Sequence, residues 1–352
     1  MTDTYQVRLE PVGVEFDVNE DETILDAAFR QGIALPHGCR EGQCSACKCI
    51  RLDGETEMLK YSTFALNDME KDSGHILMCR TLAYSDVEIE LLNYDEEVLS
   101  KSIPIKQLPG RIVDFQKLTH DIRGVQIELD APLEFWAGQY VDITVRTKAG
   151  EEITRSFSMA NTPRETQKLD FIIKKYPEGQ FSGQLDDGGI KPGAEVRVEG
   201  PYGMCFRRDG REGPVILVGA GSGMAPVWSI LADQLASRED RPILFFYGAR
   251  TRDDLIYLDE IEALTDTHPN LAFFPVLSHA DDDESWTGAK GFVHEYVDTH
   301  LKALGIDGEG DVYACGPPPM IDALTPVLFM HDFDTDRIFF DKFTPASGSS
   351  GH

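Results

Sequence analysis

The alternation of hydrophobic and polar residues predicts strands at both ends of the first segment of the chain. Residues 5–10, 12–17 and 87–91 alternate with a period of two, which is typical of strands with one buried face. The first two are close enough in sequence to form a β-hairpin, and a helix-like stretch, 23–32, follows them. Residues 1–98 are therefore predicted to form one small α+β domain.

The second segment, residues 105–208, shows short apolar stretches separated by turn residues. Strands at this spacing are typical of a small antiparallel barrel. The predicted strands are 110–113, 124–129, 139–145, 169–174 and 195–199. The acidic and proline-containing stretch 95–109 predicts a linker between the first two segments.

In the third segment, residues 212–345, apolar strands alternate with helical stretches. That alternation predicts an α/β domain built on a parallel sheet. The predicted elements are strands at 215–218, 243–247, 271–274, 311–315 and 337–343 and a helix over 228–235. The last residues, 346–352, are rich in glycine and serine and predict a disordered tail.

The composition adds limits on function. No apolar run is long enough to span a membrane, and the first residues lack the basic and apolar parts of a secretory signal. We therefore expect a cytoplasmic protein without membrane association. The net charge of −28 argues against nucleic acid as a partner. Residues 1–98 carry 21 acidic and 8 basic residues, which indicates either simple solubility or steering toward a basic partner.

The strongest chemical signal is a set of four cysteines spaced C-x4-C-x2-C with a distant fourth: Cys39, Cys44, Cys47 and Cys79. This is the plant-type spacing for a 2Fe–2S cluster, in which one loop supplies three thiolates and another segment supplies the fourth. Gly38 and Gly42 would let the loop backbone turn closely around the cluster.

Other interpretations of the cysteines are weaker. Seven cysteines without a signal peptide do not fit a secreted disulfide scaffold. A structural zinc site would usually show two C-x-x-C pairs. Cys49 and Cys205 are predicted to be small buried residues and not ligands.

Residues 1–98 resemble a plant-type ferredoxin through this loop and the helix-like stretch before it. The following segment resembles the flavin domains of the ferredoxin–NADP reductase superfamily through Arg155-Ser156-Phe157-Ser158, which is similar to the R-x-[YF]-S signature. The resemblance implies that Arg155 grips a flavin phosphate, that Phe157 stacks on the isoalloxazine and that Ser158 hydrogen-bonds near its N5. Without further motifs, a plain arginine and serine pair on a strand would be the better interpretation.

Two further motifs strengthen the resemblance. The stretch 136–140 is similar to the family's G-Q-[YF] turn, and the run Gly179-Gln180-Phe181-Ser182 is similar to its G-x-x-S turn. The second turn implies a helix N-terminus that cradles a pyrophosphate, and hence FAD and not FMN. Lys174 lies where relatives line the adenine dinucleotide, although an exposed lysine on a strand is nearly as good an interpretation.

The third segment carries two more signatures of the same superfamily. The first is a glycine-rich loop between a strand and a helix, where a pyrophosphate can bind, formed by Gly219, Gly221, Gly223 and Pro226. The second is a C-G-P-P-x-M hexapeptide that begins with Cys315, Gly316 and Pro317. The resemblance implies that Cys315 lies beside nicotinamide, with a buried core cysteine as the alternative.

Two expectations about the nicotinamide coenzyme follow. Phe343 is the candidate for the C-terminal aromatic that lies near the flavin ring in relatives, although a core strand would also explain it. We expect NADH and not NADPH, because Asp253 and Asp254 adjoin the basic residues Arg250 and Arg252 after the second nucleotide-domain strand.

The order of the segments resembles the reductase components of bacterial multicomponent diiron monooxygenases, of the propane, methane and phenol type. That resemblance implies a β-grasp 2Fe–2S ferredoxin domain, an antiparallel flavin-binding β-barrel and a Rossmann-like parallel-sheet nucleotide domain. It further implies a monomeric NADH-dependent reductase that passes electrons through FAD and the 2Fe–2S cluster to a hydroxylase component. Ser158, Cys315 and Phe343 would position the reacting groups.

Two alternatives remain open from the sequence. Reductases of Rieske ring-hydroxylating dioxygenases share this order of domains. A protein of another class, a 2Fe–2S redox sensor with degenerate flavin domains, is disfavoured by the intact glycine, arginine and cysteine motifs.

Overall fold

The computed structural model describes residues 3–92, 94, 98–99, 103–147, 150–176, 179–185, 189–237, 239–280 and 285–343. The chain forms two compact units, Met1–Ile105 and Lys106–His352. The predicted disordered tail, 346–352, lies outside the described residues. The domain boundaries within the second unit stay a prediction.

The first unit is built on a five-stranded sheet with the order β2-β1-β7-β3-β5. Its strands are β1 (Thr4–Glu10), β2 (Val14–Asn19), β3 (Lys48–Asp53), β5 (His75–Leu77) and β7 (Val87–Leu91), and a separate pair is formed by β4 (Thr56–Met58) and β6 (Thr81–Ala83). The predicted hairpin is β1–β2, and β7 pairs parallel with β1 at its centre. This mixed sheet is the β-grasp arrangement that the sequence predicted.

The predicted helix of the first unit is α1 (Ile24–Arg30). Thr23 is the N-cap of α1 and accepts a hydrogen bond from the Asp26 amide at 3.2 Å, as threonine commonly does at this helix position. The apolar side of α1 is buried against the sheet, with Leu25 and Phe29 almost fully covered. A second short helix, α2 (Asp68–Asp72), has no buried residue and begins with a capping box at Asn67.

The first sheet of the second unit closes into a barrel. Its strands are β8 (Lys106–Lys117), β9 (Ile122–Leu129), β10 (Tyr140–Arg146), β11 (Glu152–Ser158), β12 (Lys168–Lys174) and β13 (Glu195–Tyr202), in the order β11-β10-β13-β8-β9-β12. A bridge between Met159 and Phe171 joins the two edge strands. Closure leaves a buried interior that includes Ile112, Ile143 and Leu169.

The second sheet of this unit is parallel throughout, in the order β17-β16-β15-β14-β18-β19. Its strands are β14 (Val215–Ala220), β15 (Ile243–Ala249), β16 (Leu271–Leu277), β17 (Ala289–Lys290), β18 (Asp311–Gly316) and β19 (Ile338–Lys342). The helices are α3 (Met224–Ala236), α4 (Leu258–Thr267), α5 (Val293–Leu304) and α6 (Pro318–Met330). Two buried clusters, around Leu217 and around Val218, cover the two faces, as expected for a parallel sheet.

Two local predictions need correction. The linker predicted over 95–109 ends earlier, because Lys106 already begins β8 and the 106–110 stretch pairs with β13. The G-x-x-S turn does not begin an α-helix; the helical turn there is a three-residue 3-10 helix, Ser182–Gln184. This short turn is enough to close the segment, because the Gly183 amide donates to the Gly179 carbonyl oxygen at 2.8 Å.

Candidate functional site

The loop that carries three of the cysteines turns its backbone amides toward their sulfur atoms. The amides of Glu41 and Gln43 donate to Cys39 Sγ at 3.4 and 3.2 Å, and the Cys39 amide donates to Cys44 Sγ at 3.2 Å. Amide donors of this kind stabilise thiolates and the cluster they ligate. The loop is therefore arranged to hold negative charge on sulfur.

The shape of this loop depends on unusual backbone conformations. Arg40, Gly42 and Ser45 all have positive φ, at 58°, 71° and 57°. At Gly38 an added Cβ would lie 2.9 Å from Cys44 Sγ. Glycine is thus needed at Gly38 because the sulfur occupies the space of a side chain.

The fourth cysteine comes from a different segment and completes the group. Cys79 lies in the 3-10 helix Met78–Arg80, and its Sγ is 3.2 Å from Cys47 Sγ. The hydrogen bond from the Cys44 thiol, helped by the amides of Gln43 and Glu41, lowers the pKa of Cys39 to about 6 although burial opposes this. The four predicted ligands therefore fit a 2Fe–2S cluster in donor type, in spacing and in the amides that face the sulfurs.

Cys49 follows Cys47 by two residues and is a buried strand residue, as the sequence predicted. It sits on β3, is fully buried, and burial raises the pKa of its thiol. Its place on the strand that leaves the loop gives it a packing role. Cys205 is likewise buried, with 5% of its surface exposed.

The barrel brings the R-x-[YF]-S stretch and the G-x-x-S turn together. Arg155 Nη2 donates to Gln180 Oε1 at 2.8 Å, and the rings of Phe157 and Phe181 pack with centroids 5.0 Å apart. Ser156 Oγ donates to Asp142 Oδ1 at 2.5 Å on the neighbouring strand. Ser158 ends β11 and is buried.

Gly179 and Ser182 set the local shape of the turn. Ser182 Oγ accepts a hydrogen bond from the Tyr176 amide at 3.1 Å, and an added Cβ at Gly179 would lie 3.0 Å from the Tyr176 carbonyl oxygen. The turn is thus a compact backbone cradle beside a guanidinium. Such a combination suits a phosphate group, so the residues present fit the pyrophosphate of FAD.

The glycine-rich loop of the parallel sheet runs from Gly219 at the end of β14 into α3. Gly221 has a φ of +56° and open space beside it. At Gly223 an added Cβ would overlap the Cys315 carbonyl and lie 2.9 Å from Gly316 Cα, so only glycine allows α3 to begin this close to β18. Pro226 is buried in the first turn of α3.

A cavity of about 660 Å³ opens in the second unit at the carboxyl ends of the parallel strands. That edge is where open α/β sheets bind their ligands. Side chains of the parallel sheet and of the barrel both contribute. Among the lining residues are His120, Lys174, Tyr176, Gly221, Ser222, Arg250, Asp254, Ser278, Phe292, Pro317, Met320 and Phe343.

The predicted nicotinamide residues divide between the wall of this cavity and the core behind it. Pro317 and Phe343 line the cavity, and the Phe343 amide donates to Gly316 O at 2.9 Å. Cys315 is fully buried, its Sγ lies 3.6 Å from Cys205 Sγ, and burial raises the pKa of its thiol. Its predicted place beside nicotinamide stays a prediction. Lys174 lines the cavity and pairs with Asp121 at 3.3 Å.

Three family models match the chain in this order. A 2Fe-2S iron-sulfur cluster binding domain matches residues 7–84, an oxidoreductase FAD-binding domain matches residues 109–206, and an oxidoreductase NAD-binding domain matches residues 217–325. The matches cover the cysteine loop, nearly all of the barrel and the parallel sheet except β19.

Whole-length relatives agree with these matches. The propane 2-monooxygenase reductase component of Gordonia sp. (strain TY-5) is 45% identical over 98% of both chains. The phenol 2-monooxygenase reductase component DmpP of Pseudomonas sp. (strain CF600) is 36% identical over 99% of this chain and 97% of its own. This chain belongs to the family of monooxygenase reductase components.

The solved structures extend the likeness to the fold of the whole reductase. The Amycolatopsis cytochrome P450 reductase GcoB superposes with a TM-score of 0.84 at 30% identity. The superposition covers 97% of this chain and 100% of the GcoB chain. The ferredoxin reductase of carbazole 1,9a-dioxygenase gives 0.77 at 30% identity, over 98% and 99% of the two chains. The reductase is thus an oxidoreductase that uses a 2Fe–2S cluster, FAD and a nicotinamide coenzyme. None of its described helices has the length and apolar character that a membrane crossing requires.

Several cavity residues of the reductase were not predicted from its sequence. His120 precedes β9 in the barrel, yet its Nδ1 lies 3.2 Å from Asp254 Oδ1 of the nucleotide domain. Phe292 stands at the start of α5 with 61% of its surface exposed. The signal that could have found Phe292 is its position directly after Gly291, between β17 and α5 at the ligand edge of the sheet.

Proposed function

We propose that the reductase transfers electrons from NADH to the diiron hydroxylase of a propane-type monooxygenase. The observation that carries this proposal is the 45% identity, over nearly the full length of both chains, to a propane 2-monooxygenase reductase component. Three further propane 2-monooxygenase reductase components are 44–45% identical over 98% of this chain. A monomer in the cytoplasm, where free thiols persist, is part of the same proposal.

In this proposal the residues of the reductase bind and orient, and the cofactors supply the redox chemistry. When bound, FAD accepts two electrons together and releases them singly, which the 2Fe–2S cluster requires. Arg155, Gln180 and Ser182 would hold the FAD pyrophosphate. Ser158 would orient the isoalloxazine, and Cys315 would support the nicotinamide site from the core behind Gly316.

Phe343 has the task of closing the nicotinamide end of the cavity. Its amide donates to Gly316 O, which fixes the backbone that carries the ring, and both Phe343 and Pro317 line the cavity wall. A ring in this place excludes water from the site until a coenzyme enters.

The test of the function is reconstitution with candidate oxygenases. The purified, cluster-loaded reductase is mixed with the hydroxylase of a propane monooxygenase, of a phenol monooxygenase or with a Rieske dioxygenase, and NADH-driven product is measured. Highest turnover with the propane enzyme supports the proposal. Equal or higher turnover with the Rieske dioxygenase would contradict it and favour the likeness to the carbazole 1,9a-dioxygenase reductase.

We expect the reductase to prefer NADH to NADPH by about tenfold or more in kcat/KM. The Asp254 carboxylate lines the cavity after β15, and it would face the 2′-phosphate of NADPH with like charge. Steady-state oxidation of the two coenzymes with ferricyanide measures this without a protein partner. Equal kcat/KM values would show that Arg250 outweighs the carboxylate.

Phe292 is expected to stack on the adenine of the coenzyme. Its exposed ring lines the cavity on the β16–β17 side, whereas Pro317 and Phe343 lie on the β18–β19 side. A coenzyme whose pyrophosphate lies at Gly221 and whose nicotinamide faces Phe343 would reach Phe292 with its adenine. Loss of stacking on one base costs about 1–3 kcal/mol, so Phe292→Ala is expected to raise KM for NADH about tenfold with little change in kcat.

The control for this expectation is a truncated coenzyme. Reduced nicotinamide mononucleotide lacks the adenosine, so Phe292→Ala should leave its oxidation unchanged, and Phe292→Tyr should restore NADH binding. An equal loss with both coenzymes would place the effect of Phe292 elsewhere in the cavity.

A further inference from the structure

The most exposed apolar side chain among the described residues lies next to the cysteine loop. Phe64 is 98% exposed, and Met69, five residues later, is 80% exposed. Single exposed apolar residues are common on protein surfaces. Two large apolar side chains that are this exposed and this close in sequence are a candidate contact surface. We call Phe64 and Met69 the apolar pair.

The segment that carries Phe64 is fixed to the loop that holds the cluster. The Ser62 amide donates to Gly42 O at 3.0 Å, and an added Cβ at Gly42 would lie 2.9 Å from Tyr61 Cβ. Gly42 lies between the ligands Cys39 and Cys44. Phe64 is therefore only two residues from a direct backbone contact with the cluster loop.

The backbone that carries Phe64 is anchored on its C-terminal side. The two residues after it, Ala65 and Leu66, are buried with 0% and 1% of their surface exposed, and the Ala65 amide donates to Ser62 O at 2.9 Å. A ring presented by an anchored backbone loses little conformational entropy when a partner covers it. This is the character of an interface anchor.

Charge indicates what kind of partner covers the apolar pair. The first unit, Met1–Ile105, has 21 acidic and 9 basic residues and a net charge of −12; the second unit has 40 acidic and 24 basic residues and a net charge of −16. Because both units of the reductase are acidic, neither the second unit nor another copy of the chain offers a complementary charge. Charge complementarity therefore favours a basic surface on another protein. The helix that carries Met69 is itself acidic, with Asp68, Glu70 and Asp72 against Lys71, although Lys48 pairs with Glu70 at 2.7 Å.

We propose that the apolar pair is the anchor of the surface on which the electron-accepting protein docks. The partner is a protein whose docking face has an apolar pocket for Phe64 within a basic surround. This rests on the proposed function, since the acceptor there is an oxygenase component. An apolar centre with charged surroundings is the usual anatomy of a specific protein interface.

The experiment uses the full-length, cofactor-loaded reductase and the purified hydroxylase of a propane monooxygenase. Phe64→Ala and Phe64→Tyr are compared with the matched control Leu52→Ala, an exposed apolar residue (50%) at the opposite end of β3 from the cysteine loop. Two readouts are taken: the Kd of the two proteins without NADH, and the KM for hydroxylase in NADH-driven turnover. NADH reduction of ferricyanide and of the reductase's own cluster is followed without hydroxylase.

Phe64→Ala is expected to raise both the Kd and the KM for hydroxylase about tenfold, as loss of an interface anchor does. Phe64→Tyr should stay near the original values, and Leu52→Ala should change neither. Reduction of ferricyanide and of the cluster should be unaffected in all three variants.

The contrary outcomes are separable. An unchanged Kd and KM in Phe64→Ala overturns the docking proposal alone. Slower reduction of the cluster without hydroxylase also overturns it, because Phe64 would then serve transfer inside the chain. If the unmodified reductase neither binds nor drives the hydroxylase, the proposed function fails and the docking proposal fails with it.

Discussion

Replacing Cys79 by Ser is expected to abolish electron delivery to a hydroxylase while NADH oxidation by ferricyanide continues. Cys79 is the one predicted ligand outside the loop, it is buried, and its Sγ lies 3.2 Å from Cys47 Sγ. Without it the two irons lose the thiolate that closes the site. Loss of a residue that only hydrogen-bonds a metal ligand can lower metal affinity or activity about 10- to 100-fold. Loss of a ligand itself should therefore lower NADH-driven hydroxylation by more than about a hundredfold.

The flavin reaction should survive because the residues that would hold FAD and NADH belong to the second compact unit. The measurements are iron and sulfide content, the visible spectrum, and turnover with ferricyanide and with hydroxylase. Cys49→Ala is the matched control, because that cysteine is only two residues from Cys47 but is fully buried on β3. A full iron content in Cys79→Ser, or its loss in Cys49→Ala, would show that the ligands are wrongly assigned.

The parts of the reductase that its sequence predicted are those with local signals. Three of the four cysteines and the glycines beside them lie within residues 38–47, so the loop can be recognised before any tertiary structure is known, and only Cys79 must come from a distant segment. The same holds for the β1–β2 hairpin, whose register follows from its alternation. The central parallel strands carry continuous apolar runs, such as Val215–Val218 in β14 and Ile243–Phe246 in β15, and this too is visible in the sequence.

The parts that could not be predicted depend on distant residues that meet only in the fold. His120 and Asp254 are far apart in sequence, and their contact at the cavity follows from how barrel and parallel sheet pack within the second unit. The orientation of Cys315 toward Cys205 has the same origin. Phe64 shows the converse limit: its apolar character suggests burial, and only the structure shows that the chain exposes it.

The buried carboxylate of Asp311 is another feature that the sequence did not predict. It is completely buried and pairs with Arg241 at 2.7 Å and with Arg211 and Arg337 at 3.2 Å. These arginines precede β15, β14 and β19, while Asp311 begins β18. One carboxylate therefore ties together the amino ends of four neighbouring strands, at the edge opposite the cavity.

We expect Asp311→Ala to destabilise the second unit by about 3–5 kcal/mol, because it leaves the nearly buried Arg241 without its counter-charge. All three tryptophans, Trp136, Trp228 and Trp286, lie in this unit, so urea unfolding followed by tryptophan fluorescence reports on it selectively. The matched control is Asp322→Ala, which breaks an equally short ion pair, 2.7 Å, with Lys342. The Asp322 side chain is 61% exposed.

The exposed pair is expected to contribute less than about 1 kcal/mol, since water solvates both charges after it is broken. The difference between the two variants measures the cost of leaving buried arginines unpaired. Because Asp311 lies at the far edge of the sheet from the coenzyme cavity, KM for NADH should stay unchanged in the folded variant. Equal free energies of unfolding for the two variants would mean that the four strands are held by their apolar faces alone.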